Sequence, residues 1–446
     1  MKKRIALSDH FTYSRLIRFT LPSMAMMIFI SIYGVVDGFF VSNFAGKTPF
    51  AAVNLIFPLL MMFSSVGFIF GTGGSAIVAN ALGAGDKERA NRCFSLFTYV
   101  ALVLGVILAA VGFVFIRPIS IALGATGELL EFCVVYGRIN LLALPFNVLQ
   151  FYFQSFLVTA EKPQIGLFVT ISSGVTNMVL DAVLVLLLPK PYKLIGAAIA
   201  TAMSQVVGGA VPFVYFLRKN DSLLHLCKTR WDKVAVGKAC MNGSSEFMSN
   251  VSMNLVGMLY NIQLLKYAGE NGVAAYGVMM YVSLIFAAAF IGYSIGTAPI
   301  FGYHQGANNY SELRSLLRKS LVMIAIFGVS MVALAEALAY PLAKIFVGYD
   351  GELMDLTVSG FRIYGLSFLF MGMAIFGSGF FTALNDGLTS ALIAFLRTLV
   401  FQIAAVLLLP LVLGIDGIWY SVIVAELMAA AFCGIFMVIK RKKYHY

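Results

Sequence analysis

Charged side chains are scarce. The 31 Lys and Arg and 20 Asp and Glu make up 11% of 446 residues, whereas a water-soluble domain carries about a quarter. A chain this long could not be given a water-compatible surface from so few. The five cysteines (Cys93, Cys133, Cys227, Cys240 and Cys433) are scattered without a CxxC pair, which suggests neither a disulfide framework nor a metal site. The four histidines (His10, His225, His304 and His445) fall in loops or termini on this reading. No HExxH, Walker loop or Ser, His and Asp arrangement occurs, and GTGGSAIVANALGAG lacks the Lys and Ser/Thr that phosphate binding requires. These absences argue against an enzyme, a resident cofactor and an ATP-driven pump. Strict alternation of apolar and polar residues is also missing, which argues against an outer-membrane barrel.

What remains is apolar: 60% of the chain is hydrophobic and its mean hydropathy is +0.91. A spanning helix needs about 20 mostly apolar residues, so there is material for roughly a dozen. Loops marked by charge, Gly, Pro and Asn divide the chain into predicted spans 16–42, 50–80, 94–116, 130–157, 164–188 and 195–217, then 239–265, 273–302, 318–346, 355–383, 388–412 and 416–439. The expected fold is an all-α integral membrane bundle of twelve helices. Its parts are an N-terminal lobe (1–218), a linker (219–238) and a C-terminal lobe (239–446). The first apolar run is too long for a secretory leader and reads as a retained span. Six basic residues (Lys47, Arg117, Lys190, Lys193, Lys266 and Lys344) fall in one set of alternate loops, and twenty-two fall in the set with both termini. Basic residues stay on the cytoplasmic side, so both ends are expected inside the cell. That placement explains most of the +11 charge without nucleic acid.

The two halves align at an offset near 223 residues. Gly46 with Ala51 and Ala52 falls on Gly269 with Ala274 and Ala275, and Gly83 with Ala84 on Gly306 with Ala307. Arg138 falls on Arg362 and Thr159 on Thr382. Each half has an even number of spans, so both insert in the same sense about an axis along the membrane normal, with a cavity between them. This is the architecture of an alternating-access carrier.

An ionised group at the bilayer centre costs about 2.5–3.5 kcal/mol, so an acid there needs a partner, a proton or a task. Asp37 and Asp181 lie late in the outward-running first and fifth spans, with Tyr33 and Asn177 one turn before them on the same faces. Two acids and an amide can hold a proton or a sodium ion; alternatively they hydrogen-bond neighbouring helices. The repeat argues for an ion, because Asp37 falls on Tyr260 and Asp181 on or near Ala404, with no acid nearby. Glu246, in the seventh span, attracts a cationic substrate or is a solvated residue near the mouth. Glu426 aligns with Gln205 and reads as a polar contact repeated in each half; Glu336 has no assignable partner. Arg138, Arg362 and Arg397 fall within or at the rims of spans, where long side chains can snorkel.

Together, LPSM with Pro22, the late Asp37, GAGDKERANR, TAEKP at Thr159–Pro163, and Asn177 with Asp181 resemble the MATE multidrug and toxic compound extrusion transporters. The likeness covers the whole chain and is nearest to the bacterial branch related to DNA-damage-inducible and Gram-positive multidrug exporters. It implies efflux of organic cations and other drugs in exchange for H+ or Na+. By position it implies Asp37, Asn177, Asp181 and Thr201 as ion or proton ligands, with Asp37, Asn177 and Asp181 the sodium ligands if Na+ is the ion. Tyr33, Gln150 and Gln154 become candidate substrate contacts, beside Glu246 and Tyr260 in the second lobe. Pro22 becomes the hinge of the first helix. Another branch pairs an acid on the seventh span with one on the tenth; here the tenth has none past its first residue, Asp355. The expected partners are small-molecule drugs and the lipid bilayer, with the protein acting as a monomer in the plasma membrane. A lipid-linked precursor flippase of the same superfamily is the alternative, and it would need several Arg or Lys inside the spans.

Overall fold

The computed structural model describes residues 5–189, 192–348 and 350–446. Lys2, Lys3, Arg4 and Lys190 of the charge count lie outside the described residues. The helices are α1 (Tyr13–Phe40), α2 (Lys47–Gly83), α3 (Lys87–Ala122), α4 (Gly127–Thr159), α5 (Pro163–Leu180) and α6 (Lys193–Leu217). They continue as α7 (Lys233–Gly306), α8 (Tyr310–Val347), α9 (Gly351–Gly365), α10 (Phe368–Ala383), α11 (Gly387–Phe395), α12 (Phe401–Leu408), α13 (Pro410–Leu413) and α14 (Ile415–Tyr444). Among the described residues, ten helices are long and apolar enough to cross a bilayer, and α9 with α10, bent by 48°, makes an eleventh crossing. The 74-residue α7 contains one non-helical residue, Gly269 (φ 62°, ψ −151°), which divides it into two crossings. The described residues therefore make up the twelve crossings that the apolar runs predict. Most helices run beyond those runs at one or both ends, because apolarity marks the hydrocarbon core while the helix extends into the headgroup layer.

The repeat is visible in backbone geometry. Gly46 (φ 113°) breaks the chain between α1 and α2 as Gly269 breaks α7, each in a conformation that a side chain would strain. Four tight turns, two from each half, place a left-handed residue just past a helix end: Gly85, Glu161, Asn308 and Asn385. In each, the next N–H closes back on the helix, Asp86 to Ala81, Lys162 to Leu157, Asn309 to His304 and Asp386 to Phe381, which is the Schellman arrangement. Asp86 and Asn309 then cap the following helices by accepting from the Arg89 and Glu312 amides. His304 is thereby corrected from a loop residue to a buried one in the last turn of α7.

These turns and both chain ends share one face. Residues 5–12 form a strap there: the Leu7 amide donates to Glu161 Oε1 (2.7 Å) in the α4–α5 turn, and the Phe11 amide to Glu312 Oε1 (2.9 Å) on α8. Leu7 and Phe11 are fully buried in a cluster with Phe301, Leu313, Leu316 and Phe380. Segment 219–232 is docked rather than loose: the His225 amide donates to Asn91 and the Cys227 amide to Ser95, both on α3. Lys162 donates to Asp221 and holds that exposed carboxyl below the usual carboxylate range.

Near this face the first half meets α7 through glycines. A Cβ on Gly243 would lie 2.1 Å from the Ile69 carbonyl oxygen, one on Gly83 1.9 Å from that of Tyr303, and one on Gly292 2.5 Å from Met24 Cα. Farther from this face on α1 and α7, at Gly34, Gly38, Gly257 and Gly277, nothing lies within 4 Å. The halves are thus pinned by backbone contact at the face carrying the chain ends. Gly243→Val should force them apart there at a cost of about 1–3 kcal/mol, read as a lower thermal midpoint in detergent. Gly257→Ala, with open space around it, should leave that midpoint unchanged or slightly raised.

Candidate functional site

Three helices of the first half converge on Asp37. α1 carries Tyr33 and Asp37 one turn apart, α5 carries Gly174 and Asn177 with Asp181 just past its end on the same face, and α6 carries Thr201. Gly174 allows the approach, since a Cβ there would lie 2.5 Å from the Phe29 ring and 2.9 Å from that of Tyr33. The Asp37 carboxyl has Asp181, Asn177 and Thr201 within side-chain reach, and the Thr201 hydroxyl donates to its Oδ1 at 3.4 Å. The helices bearing the acids also widen here: Val41–Ala45 and Asp181–Val185 are π-helical turns, a local irregularity that concentrates at functional positions.

Asn177 and Asp181 are buried, at 1% and 0% exposure. Both oxygens of Asp181 and Oδ1 of Asn177 find no hydrogen-bond partner among the described residues. Buried acceptors without donors are rare in folded proteins. Two neighbouring carboxylates also cannot both stay charged in a low-dielectric interior without a compensating cation or a proton. Carboxylate, amide and hydroxyl oxygens form a hard donor set that fits an alkali cation, and a shared proton satisfies the same pair. Among the described residues, no three His, Cys, Asp or Glu side chains cluster to hold a metal ion.

The other sequence candidates separate into those beside this site and those remote from it. Tyr33 and Gln150 lie side by side next to Asp37; Gln150 Nε2 reaches Ser173 Oγ at 3.4 Å. Gln154 lies one turn along α4 and, with Gln150, lines a small, partly open pocket shared with Met26, Leu157, Gly166 and Thr170. Tyr260, at Asp37's counterpart position, is buried, donating to Gln402 Oε1 (2.7 Å), paired with Ser421 Oγ (2.8 Å) and stacked on Tyr276. Its site is closed by neutral hydrogen bonds where the first half leaves bare oxygens. Pro22 lies in the part of α1 held against Gly292 and Gly296 of α7, and the helix continues through it. Sequence reasoning missed Tyr136 and Asn140 on α4; Tyr136 reaches both Thr201 and Asn140 and lies in the field of both acids. Single polar residues in a long apolar run carry no spacing signal that would single them out.

Arg397 is not at a rim. It sits in the π-helical turn Leu396–Val400 and grips the buried Glu426 with Nε at 2.8 Å from Oε2 and Nη2 at 2.9 Å from Oε1. Glu426 is therefore half of an ion pair, not a neutral contact repeated from the first half, and Arg397 also acts electrostatically on Glu246. Glu336 has a partner after all in Arg362 (2.9 Å), while Arg138 lies over the Phe113 ring (5.0 Å). Removing one member of a buried pair costs about 3–5 kcal/mol, whereas replacing both with apolar groups is often neutral. Glu426→Leu should accordingly lower the thermal midpoint sharply, and the double change Arg397→Met with Glu426→Leu should restore most of it.

A family model described as MatE matches residues 22–183 and again residues 247–408, once in each half. The chain is similar to the multidrug export protein MepA of Staphylococcus haemolyticus (strain JCSC1435), 27% identical over 428 residues that cover 96% of this chain and 93% of that protein. It is similar also to MepA of Staphylococcus aureus (strain N315), 23% identical over 419 residues, 94% of this chain and 92% of that one. Among solved structures, an outward-facing multidrug resistance MATE family transporter of the MOP superfamily matches with a TM-score of 0.93 at 22% identity, covering 100% of this chain and 99% of that one. A crystal structure of MATE in complex with MaL6 also matches at 0.93 and 22% identity, with both chains covered in full.

Proposed function

The chain belongs to the MatE family of membrane transporters, and from that premise and the site in its first half we propose that it is a secondary multidrug exporter driven by inward ion flow. The observation that carries this reading is the asymmetry of the duplicated bundle. Asn177 and Asp181 bring bare oxygens to the side of Asp37 in the first half, while the equivalent Tyr260 in the second is closed by Gln402 and Ser421. Structural support for helix packing would be served equally in both halves; a site that alternately takes and releases a cation needs only one.

In this scheme both termini are cytoplasmic, and a proton or sodium ion enters from outside to reach Asp37 and Asp181. Its binding removes the repulsion between them and lets α1 and α5 pack more closely, and the repacking discharges the drug outward. Tyr33 and Gln150, beside the pair, are the side chains through which the ion's presence reaches the drug. One elementary charge moving through about 100 mV supplies about 2.3 kcal/mol, enough for roughly a fifty-fold drug gradient. One ion per drug is therefore sufficient. The substrates are several drugs, as the name multidrug export protein of the MepA relatives suggests, and organic cations are the class the family likeness implies.

The flippase alternative calls for unpaired cations inside the spans, to meet a large anionic headgroup. Arg397 is neutralised by Glu426, Arg362 is paired with Glu336 and Arg138 lies against a ring, so that reading loses its main requirement. The test is ethidium or fluoroquinolone transport in proteoliposomes under an imposed sodium gradient and, separately, an imposed pH gradient. One of the two should drive accumulation, and Asp37→Asn should reduce it to the level of protein-free vesicles. Undiminished transport by Asp37→Asn would remove the site, and accumulation under neither gradient would favour the flippase.

A further inference from the structure

On the face with the chain ends, Arg92 is paired with Glu88 and Lys162 with Asp221. The start of α8 is different. There Arg314, Ser315, Arg318 and Lys319 line an open groove of about 440 Å³ with Tyr13, the first residue of α1, and no acid lines it. Glu312, the one acid of α8 ahead of Glu336, is buried and takes up the Phe11 amide and His10. The donors in the groove are left with spare capacity. Arg314 gives its Nε to the His445 carbonyl and keeps both Nη groups, and Lys319 gives one N–H to the Phe11 carbonyl and keeps two. Arg318 is exposed and has no hydrogen bond or ion pair among the described residues. One turn farther along, the same face of α8 becomes apolar. The row that begins with Arg314 and Arg318 continues at Val322, Ile326 and Val329, which are 40%, 52% and 59% exposed. On α1 the row from Tyr13 continues through Ile17 to the exposed Leu21.

We propose that this groove holds an anionic phospholipid, with its phosphodiester on Arg314 and Arg318 and an acyl chain along Val322, Ile326 and Val329. Depth and charge together select that occupant. Arg318 stands at the first residue of the apolar run 318–346, the level of lipid headgroups, and the exposed row beyond it faces hydrocarbon. A soluble anion would use the cations and leave the apolar row bare. A zwitterionic lipid would use the row but bring its own cation against Arg314, Arg318 and Lys319, and a cationic drug would be repelled outright. A guanidinium presents its N–H donors as a planar fork that matches phosphate oxygens, so two of them one turn apart can grip one phosphodiester from two sides. The Tyr13 hydroxyl supplies a further donor at the same level. The groove draws on both halves, Tyr13 from the first and α8 from the second. In the orientation proposed above it opens on the cytoplasmic leaflet, where anionic lipids give the surface its negative potential.

The test titrates the full chain, stripped of lipid in neutral detergent, with phosphatidylglycerol and separately with phosphatidylcholine, and counts bound lipid by native mass spectrometry. About 0.15 M ammonium acetate screens charges farther than about 8 Å from the lipid. An anionic headgroup gains about fivefold in affinity per adjacent basic residue, hence about thirtyfold for two. Phosphatidylglycerol should bind the parent protein about tenfold or more tightly than phosphatidylcholine. Arg318→Gln, which breaks no contact within the described residues, should weaken phosphatidylglycerol about fivefold, and Arg314→Gln with Arg318→Gln about thirtyfold. Lys233→Gln with Lys238→Gln removes two exposed charges at the start of α7 and should change the affinity by less than about threefold. Equal losses in the two double variants would overturn the site, because bulk charge would then account for the binding. Equal affinity of the parent for the two lipids would overturn it as well. Inorganic phosphate should leave phosphatidylglycerol in place, and displacement by phosphate alone would assign the groove to a free anion instead. The readout needs neither ion gradient nor drug, so its failure is distinguishable from failure of the Asp37→Asn transport assay.

Discussion

Two neighbouring carboxylates, Asp181 buried and Asp37 half-buried, impose the constraint around which the first half is built. Water would solvate each of them separately; between α1, α5 and α6 they have Asn177, Thr201 and each other. The site is balanced only when something positive is present, so its occupancy and the packing of its helices are one variable. Gly174 brings the α1 rings against α5, and the π-helical turn at Asp181 re-aims the fifth span at the acid. The second half has dealt with the same position differently, filling it with a tyrosine whose hydroxyl is fully engaged. Duplication supplied two similar bundles, and one kept the electrostatic problem while the other closed the position with neutral hydrogen bonds.

The second half keeps charge elsewhere, in a form that solves itself. Arg397 and Glu426 neutralise one another through a two-pronged contact, so the pair presents no net charge to the bilayer. Glu246 lies within the electrostatic reach of the same arginine. The bundles thus differ less in how much charge they bury than in whether it is compensated internally.

Much of this was legible in the residues. Apolar run length marks a span because each backbone group in lipid must be satisfied within its own helix, which is why all twelve crossings could be set out in order. Gly46 and Gly269, Asp37, Asn177, Asp181 and Thr201 follow from spacing, duplication and family likeness. Their assembly required only that α1, α5 and α6 be neighbours. Depth was less legible. The span boundaries leave Arg397 within or at the rim of its helix, although Glu426, on the antiparallel neighbour, lies at a comparable distance from the face with the chain ends; matching depths on adjacent spans pairs them. Tyr136 and Asn140 carried no signal, and neither did the docking of 219–232 on α3, since a polar segment looks the same whether it is solvated or held by Asn91 and Ser95. The turn residues Glu161 and Asn308 hide their role too, because their left-handed backbone is imposed by the helix ends around them.

The course of the strap has a consequence for biosynthesis. Phe11 is synthesised 301 residues ahead of Glu312, so its amide stays with water until α8 has begun to insert. The strap must therefore wait, with Leu7 and Phe11 uncovered, while α1 to α7 are threaded into the lipid. A product truncated ahead of α8 would keep these apolar side chains permanently exposed, and so would carry on its strap a mark that it was never finished.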